Sequence, residues 1–322
     1  MKKEINLKKD VLPVFLMGGL FVLIQGIALF LVTPFRSAGM QAFENPDNPI
    51  NIVYILVIML VFTLAVLAIA KFWKKNVIQL FILAAIGYTS AYVFYPLLGI
   101  AFSDFPTWFL YHNDNLLFTL SIPDVLSIFL AVILVYTLYK YPEWYVIDFT
   151  GVVVGAGAIA IFGISLSVLL VLILLIALAV YDAISVYKTK HMVDLADTVM
   201  ELKLPVLLVV PKIRDYSLIE ETKSLKKKIE GKEERDAFFI GLGDIVMPGI
   251  LVVAAYVNIA NGLPIAIGTM SGTLAGFSVL MTFVIKGNPQ AGLPSLCGGA
   301  ILGYLISSLL IFGEIKGLVL PF

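Results

Sequence analysis

The chain has 322 residues, 60% of them hydrophobic and 14% charged, with a mean hydropathy of +1.00. No soluble globular domain needs that balance, so the expected fold class is an all-α, polytopic integral membrane protein. Zero net charge gives no reason to expect nucleic acid as a partner, and the single cysteine, Cys297, excludes an internal disulfide.

In chain order, Met1-Lys2-Lys3-Glu4 and Lys8-Lys9-Asp10 precede an apolar run from Val11 to Thr33. That run is longer than a signal-peptide core, and no small-residue cleavage site closes it, so it reads as a first retained span. Nine transmembrane helices are predicted, at roughly 11–33, 52–70, 77–101, 121–139, 145–163, 166–187, 237–260, 265–285 and 293–312. The fifth and sixth are nearly fused. The fourth opens on Pro123 and Asp124, with Asp124 read as a helix cap near the outer face. Asp148, close to the start of the fifth span, is expected to face the membrane interface.

The basic residues set the orientation. With nine spans, one side receives Lys2, Lys3, Lys8, Lys9, Lys71, Lys74, Lys75, Lys140, the eleven Lys and Arg between Lys188 and Arg235, and Lys286. The other side receives only Arg36 and Lys316. By the positive-inside rule the N-terminus is cytoplasmic and the C-terminus outside.

The cytoplasmic segment 188–236 divides into three. Met192, Leu195, Val199 and Leu202 recur at helical spacing and predict an amphipathic helix over 191–202. The β-branched, proline-bounded run from Leu204 to Pro211 suits an edge strand. The remainder through Lys226-Lys227-Lys228 to Arg235 is charged and expected to be mobile, with the Lys226–Lys228 run read as a solvated, lipid-facing patch.

Two aspartates stand within the apolar runs, Asp182 near the end of the sixth and Asp244 near the start of the seventh. A carboxylate in hydrocarbon costs at least about 2.5–3.5 kcal/mol, so its default reading is functional. The orientation puts both at the cytoplasmic end of their spans, roughly 8 Å and roughly 12 Å below the surface at the α-helical rise. Pro294, Ser295 and Leu296 open the ninth span in the same layer. Two neighbouring carboxylates do not both ionise easily; one holds a proton and the other accepts one. Such a pair can deprotonate a water and protonate an amide carbonyl together, which is general acid–base peptide hydrolysis without a covalent intermediate. Gly241, three residues before Asp244, is expected to let another backbone approach, and Gly243 adds pliability. Pro248 cannot donate to the carbonyl of Asp244 and is expected to bend the helix beside it. A protease that acts on a transmembrane helix must unwind it, and an exposed strand near Val206–Val210 is a candidate for holding the extended chain by β-augmentation.

Tyr181-Asp182, Gly241-Leu242-Gly243-Asp244 and Pro294-Ser295-Leu296, on the sixth, seventh and ninth spans, together resemble the YD, GxGD and PAL motifs of the presenilin and signal peptide peptidase family of intramembrane aspartyl proteases. The stretch from Gly241 to Gly249 looks closer to the signal peptide peptidase branch, and the compact length resembles archaeal members. The resemblance implies that Asp182 and Asp244 are the catalytic pair. It also implies that Tyr181, Gly241, Gly243, Pro294, Ser295 and Leu296 shape the site and position substrate. Ser295 departs from the family, which usually has alanine there. Residues 1–163 then read as scaffold helices, and 164–322 as the catalytic part with the 188–236 loop. The expected partners are membrane lipid and transmembrane peptides, and the expected location is a prokaryotic cell membrane. Water is the only co-reactant needed, with no metal or organic cofactor, and nothing in the residues sets an oligomeric state.

Two other readings compete. Buried acids also line cation or proton pathways, but the two acid-bearing spans show no inverted repeat or paired broken helices. Prepilin-type peptidases also use a GxGD aspartate, but nine spans and the Pro294-Ser295-Leu296 element argue against them. Cys297, one turn past Pro294, reads as an inert buried thiol. His112 and His191 fall in predicted loops on opposite sides, which argues against a histidine metal site. The glycines at 151–157 and 268–276 suggest close helix packing, since no strand precedes them.

Overall fold

The computed structural model describes residues 7–72, 75–102, 108–112, 115–189, 207–213, 216–218, 236–285 and 290–318. These contain nine α-helices, each overlapping one of the nine apolar runs: α1 (Leu7–Ser37), α2 (Ile50–Phe72), α3 (Lys75–Ala101), α4 (Ile122–Lys140), α5 (Trp144–Ser165), α6 (Val168–Ile184), α7 (Leu242–Asn258), α8 (Leu263–Ile285) and α9 (Gly292–Phe312). Seven are long and apolar enough to cross a membrane; Ile50–Val61 within α2 and Leu242–Asn258 are shorter apolar stretches. Two small antiparallel sheets complete the elements, β1 (Trp108–His112) with β2 (Asn115–Leu120), and β3 (Leu207–Pro211) with β4 (Ala237–Gly241).

The axis of the molecule is α7, which packs against α1, α5, α6, α8 and α9. Its residues Ile245 to Ala255 are buried apart from the half-buried Met247. Small residues let its neighbours come close. A Cβ at Gly249 would stand 2.6 Å from Ile159 Cδ1 of α5, and one at Gly163 of α5 would overlap Val253. The same face of α5 carries Gly151 and Gly155, where a Cβ would stand 2.6 Å from Leu208 Cδ2 of β3 and 3.0 Å from Leu242 Cδ1 of α7. Asp148, Gly151, Gly155, Ile159 and Gly163 thus form one helical stripe that seats first β3 and then α7, with α5 and α7 running in the same direction.

On the other flank, Gly268, Gly272 and Gly276 of α8 face Ser307, Gly303, Gly299 and the carbonyl of Ser295 on α9, in antiparallel order. Cβ atoms at these α8 glycines would meet backbone or the Ser307 side chain. With no hydrophobic force between helices in lipid, backbone contact of this kind supplies the attraction. Both glycine-rich stretches therefore serve helix packing.

The break between α5 and α6 is held by neighbours. The amide of Ser167 donates to Pro46 O (3.0 Å), and Asn258 Nδ2 donates to Leu166 O (3.1 Å). Beyond Phe312 the chain turns through Gly313, whose φ of 72° is in the left-handed region that favours glycine as a helix stop.

Several expectations change. The seventh apolar run does not begin as a helix: its first five residues, Ala237 to Gly241, are β4, because Leu207–Pro211 supplies a strand partner. The edge strand expected over 204–211 is present at Leu207–Pro211. Asp148 does not face the interface; it is 8% exposed, because β3 covers it and donates the Val209 N–H to Oδ1 at 2.8 Å. The capping residue of α4 is Ser121, and Asp124 closes the box by accepting from Ser121 N at 2.8 Å. His112 ends a strand and is not in a loop. The helix expected over 191–202, His191 itself and Lys226–Lys228 lie outside the described residues.

Candidate active site

Asp182 stands in the last turn of α6, which continues as a single π-helical turn, Ser185–Thr189. Such turns are rare and recur at functional sites. Asp244 stands three residues into α7, immediately after β4, with Gly241 as the N-cap. The seventh-span aspartate is therefore reached through a strand and a first helical turn, not through an unbroken helix from the start of the run as expected.

The N-terminus of α9 joins the two. The backbone N–H of Leu293 donates to Asp182 Oδ2 at 3.1 Å. One residue earlier, a Cβ on Gly292 would stand 2.6 Å from Asp244 Oδ2 and 3.0 Å from its Cγ. One turn of backbone thus touches both carboxyl groups. The first N–H groups of a helix have no partner within it and are free to orient an acid. A second tie between the same elements comes from Tyr187, whose hydroxyl donates to Gln290 Oε1.

The remaining sequence-selected residues distribute around this centre. Gly241 does not sit on a helical face awaiting another backbone; its missing Cβ would contact Asp244 Oδ2 itself at 3.4 Å. Gly243 is exposed and has open space where a Cβ would go. Tyr181 is 71% exposed and points away from the bundle interior. Pro294 and Ser295 are half-buried, and Leu296 is fully buried. The Ser295 carbonyl lies against Gly276, so this residue sits in the small-residue seam that sets the height of α9 against α8. Pro248 lies inside α7 and leaves the Asp244 carbonyl without its usual helical donor. The thiol of Cys297 is buried. Among the described residues no group of three or more His, Cys, Asp or Glu side chains is arranged to hold a metal ion.

Sequence reasoning missed Gly292, Leu293 and Gln290, which contribute through backbone or a single contact. Only the position of Gly292 one turn before the Leu296 core contact hints at a close approach.

The β3–β4 sheet lies directly upstream of Asp244. Leu207 pairs with Gly241, Val209 with Phe239 and Pro211 with Ala237. The amide of Lys212 donates to Asp236 O at 2.8 Å, so the even-numbered pairs exchange the ladder bonds, and Val209 points its N–H away to Asp148. By the same alternation Phe239 turns its N–H and C=O outward from β4, along the edge that leads to Asp244. The sheet has two strands among the described residues.

Residues 18–313 match a family model described as signal-peptide peptidase, presenilin aspartyl protease. The chain belongs to this family. Two crystal forms of a presenilin family intramembrane aspartate protease share its architecture. The structure in space group C222 is 37% identical, with a TM-score of 0.67, and the match covers 92% of this chain and 99% of that one. The structure in space group P2 is 36% identical, with a TM-score of 0.65, over 91% of this chain and 96% of that one. A search of curated proteins found no match. Among the described residues, Asp182 and Asp244 are the acids that the N-terminus of α9 bridges.

Proposed function

We infer that this membrane protein is an intramembrane aspartyl endopeptidase that hydrolyses peptide bonds within transmembrane segments or remnant signal peptides. The observation that carries this is the α9 N-terminus, whose Leu293 N–H and Gly292 meet Asp182 and Asp244 respectively.

Asp182 and Asp244 are the catalytic pair in this reading. The ionised partner removes a proton from water as the oxygen attacks the scissile carbonyl. The protonated partner delivers its proton to the carbonyl oxygen. Collapse of the tetrahedral diol sends a proton to the departing nitrogen and yields an acid and an amine. The pair titrates as a unit, so acid and base are not assigned to individual residues. Gly292 and Gly241 leave the space in which the carboxyl of Asp244 stands, and Pro294, Ser295 and Leu296 fix the height of α9. Tyr181, exposed beside Asp182, contacts the arriving substrate.

The substrate is held as a strand. The outer edge of β3 is occupied at Val209, so the pairing edge is β4, not the Val206–Val210 run. An extended segment added to β4 runs directly toward Asp244. We further propose nine spans with the N-terminus cytoplasmic, which puts the acid pair in the cytoplasmic third of a prokaryotic cell membrane. Residues 1–163 act as scaffold and 164–322 carry the catalysis.

Incubating purified protein with a reporter transmembrane peptide tests this reading. Fragments that require both aspartates support it; a folded protein that cuts none of several reporters contradicts it.

A further inference from the structure

Asp148 is a carboxylic acid buried on a scaffold helix, and the hydrolysis just described does not use it. Its Oδ1 accepts the Val209 N–H at 2.8 Å, on the edge of β3 that faces away from β4. Five residues earlier Glu143, the N-cap of α5, accepts from Ser217 Oγ at 2.7 Å and from Leu218 N at 3.1 Å. Two carboxylates on one helix end therefore clamp the strand and the segment after it. Between them and α7, Gly151 lets the Leu208 side chain lie flat on α5. Leu208, Val209 and Val210 are all buried as a result.

This arrangement has two consequences for an added strand. A two-stranded sheet has two open edges, and either one can template pairing. With Asp148 on Val209, the β4 edge is the one left open among the described residues, and that edge is continuous with Asp244. The clamp also fixes β3 to the rigid bundle, and through the register of β3 on β4 it fixes where the residues before Asp244 lie.

We propose that Asp148 is a positioning residue for the proteolytic reaction: its carboxylate closes the β3 edge and locks the sheet so that substrate pairs on β4 in a single register. The proposal rests on the endopeptidase reading above. It predicts an effect on which bond is cut, an outcome that a residue acting only in stability would not produce.

The test compares the parent, Asp148→Asn, Asp148→Ala and Val209→Pro on one reporter transmembrane peptide, with mass spectrometry of every fragment and separate kcat and KM. Asparagine keeps an acceptor oxygen at the same place, so Asp148→Asn is expected to cut the parent's bonds at close to the parent's rate. Asp148→Ala is expected to spread cleavage over neighbouring bonds and to lower kcat by about ten- to a hundredfold, the range that follows from misplacing a substrate by about 1 Å. Val209→Pro removes the donor without touching the ladder, since that N–H points away from β4, and serves where Asp148→Ala does not fold. It is expected to spread cleavage in the same way. Folded Asp148→Ala or Val209→Pro protein that cuts the parent's bonds at the parent's rate overturns the proposal. So does Asp148→Asn protein as impaired and as scattered as Asp148→Ala. A parent that cuts nothing refutes the endopeptidase reading instead, and the two failures are thereby distinguished.

Discussion

Adding one methyl group at Gly292 puts the geometry of the acid pair to a direct test. The Cβ of Gly292→Ala would stand 2.6 Å from Asp244 Oδ2, 3.0 Å from Cγ and 3.4 Å from Oδ1. Ordinary van der Waals contact begins at 3.4 Å, so the carboxyl group or the start of α9 must retreat by about 0.8 Å. Where the start of α9 retreats, Asp182 is disturbed as well, because the next residue, Leu293, holds it through its N–H; where the carboxyl group retreats, Asp244 itself leaves its place. Displacements near 1 Å at a reacting group cost up to about a hundredfold in rate, so kcat should fall by roughly ten- to a hundredfold, or about 1.4–2.7 kcal/mol in barrier height. Gly298 supplies the control. It lies on the same helix with nothing within 4 Å of its Cβ position, and Gly298→Ala removes an interior helix glycine at no steric cost. The assay is kcat and KM on a reporter transmembrane peptide for the parent and both variants. Equal activity in the two folded variants would show that Gly292 does not lie against Asp244 in the working enzyme.

Other substitutions probe the supports of the site. Gly272→Ala should lower the detergent melting midpoint, corresponding to about 1–3 kcal/mol, because its Cβ meets the backbone of Gly299 and Gly303; Gly99→Ala, with open space around it, should not. A Gly272→Ala protein that melts with the parent would remove the α8–α9 backbone seam from the account. Leu208→Pro deletes a ladder donor of the β3–β4 pair and should abolish cleavage while leaving helical content intact, measured by fragment yield alongside circular dichroism. Normal cleavage by that variant would mean that the sheet does not hold substrate.

The helices were largely legible in the sequence, since membrane helices satisfy their own backbone and must be apolar over a fixed length. Each apolar run found its helix within a few residues, except where Ala237–Gly241 paired with Leu207–Pro211. Ala-Phe-Phe-Ile-Gly is apolar enough to extend a helix, and only a partner some thirty residues away makes it a strand. The hairpin at 108–120 escaped notice for a related reason, as both its strands are short and lie between longer apolar signals. The aspartates stood out because charge in hydrocarbon is costly. Gly292 and Leu293 did not, because they act through a missing side chain and a backbone amide, which no residue type advertises. Asp148 was visible as a charge but misplaced to the interface, since the strand that buries it lies some sixty residues downstream.

The central claim is that Asp182 and Asp244 hydrolyse peptide bonds as one unit. Its most direct test is fragment production from a reporter transmembrane peptide by the parent, Asp182→Asn and Asp244→Asn proteins, each shown to be folded. Fragments from the parent alone, with both asparagine variants silent, are the predicted result. Cleavage surviving in either asparagine variant would contradict the account.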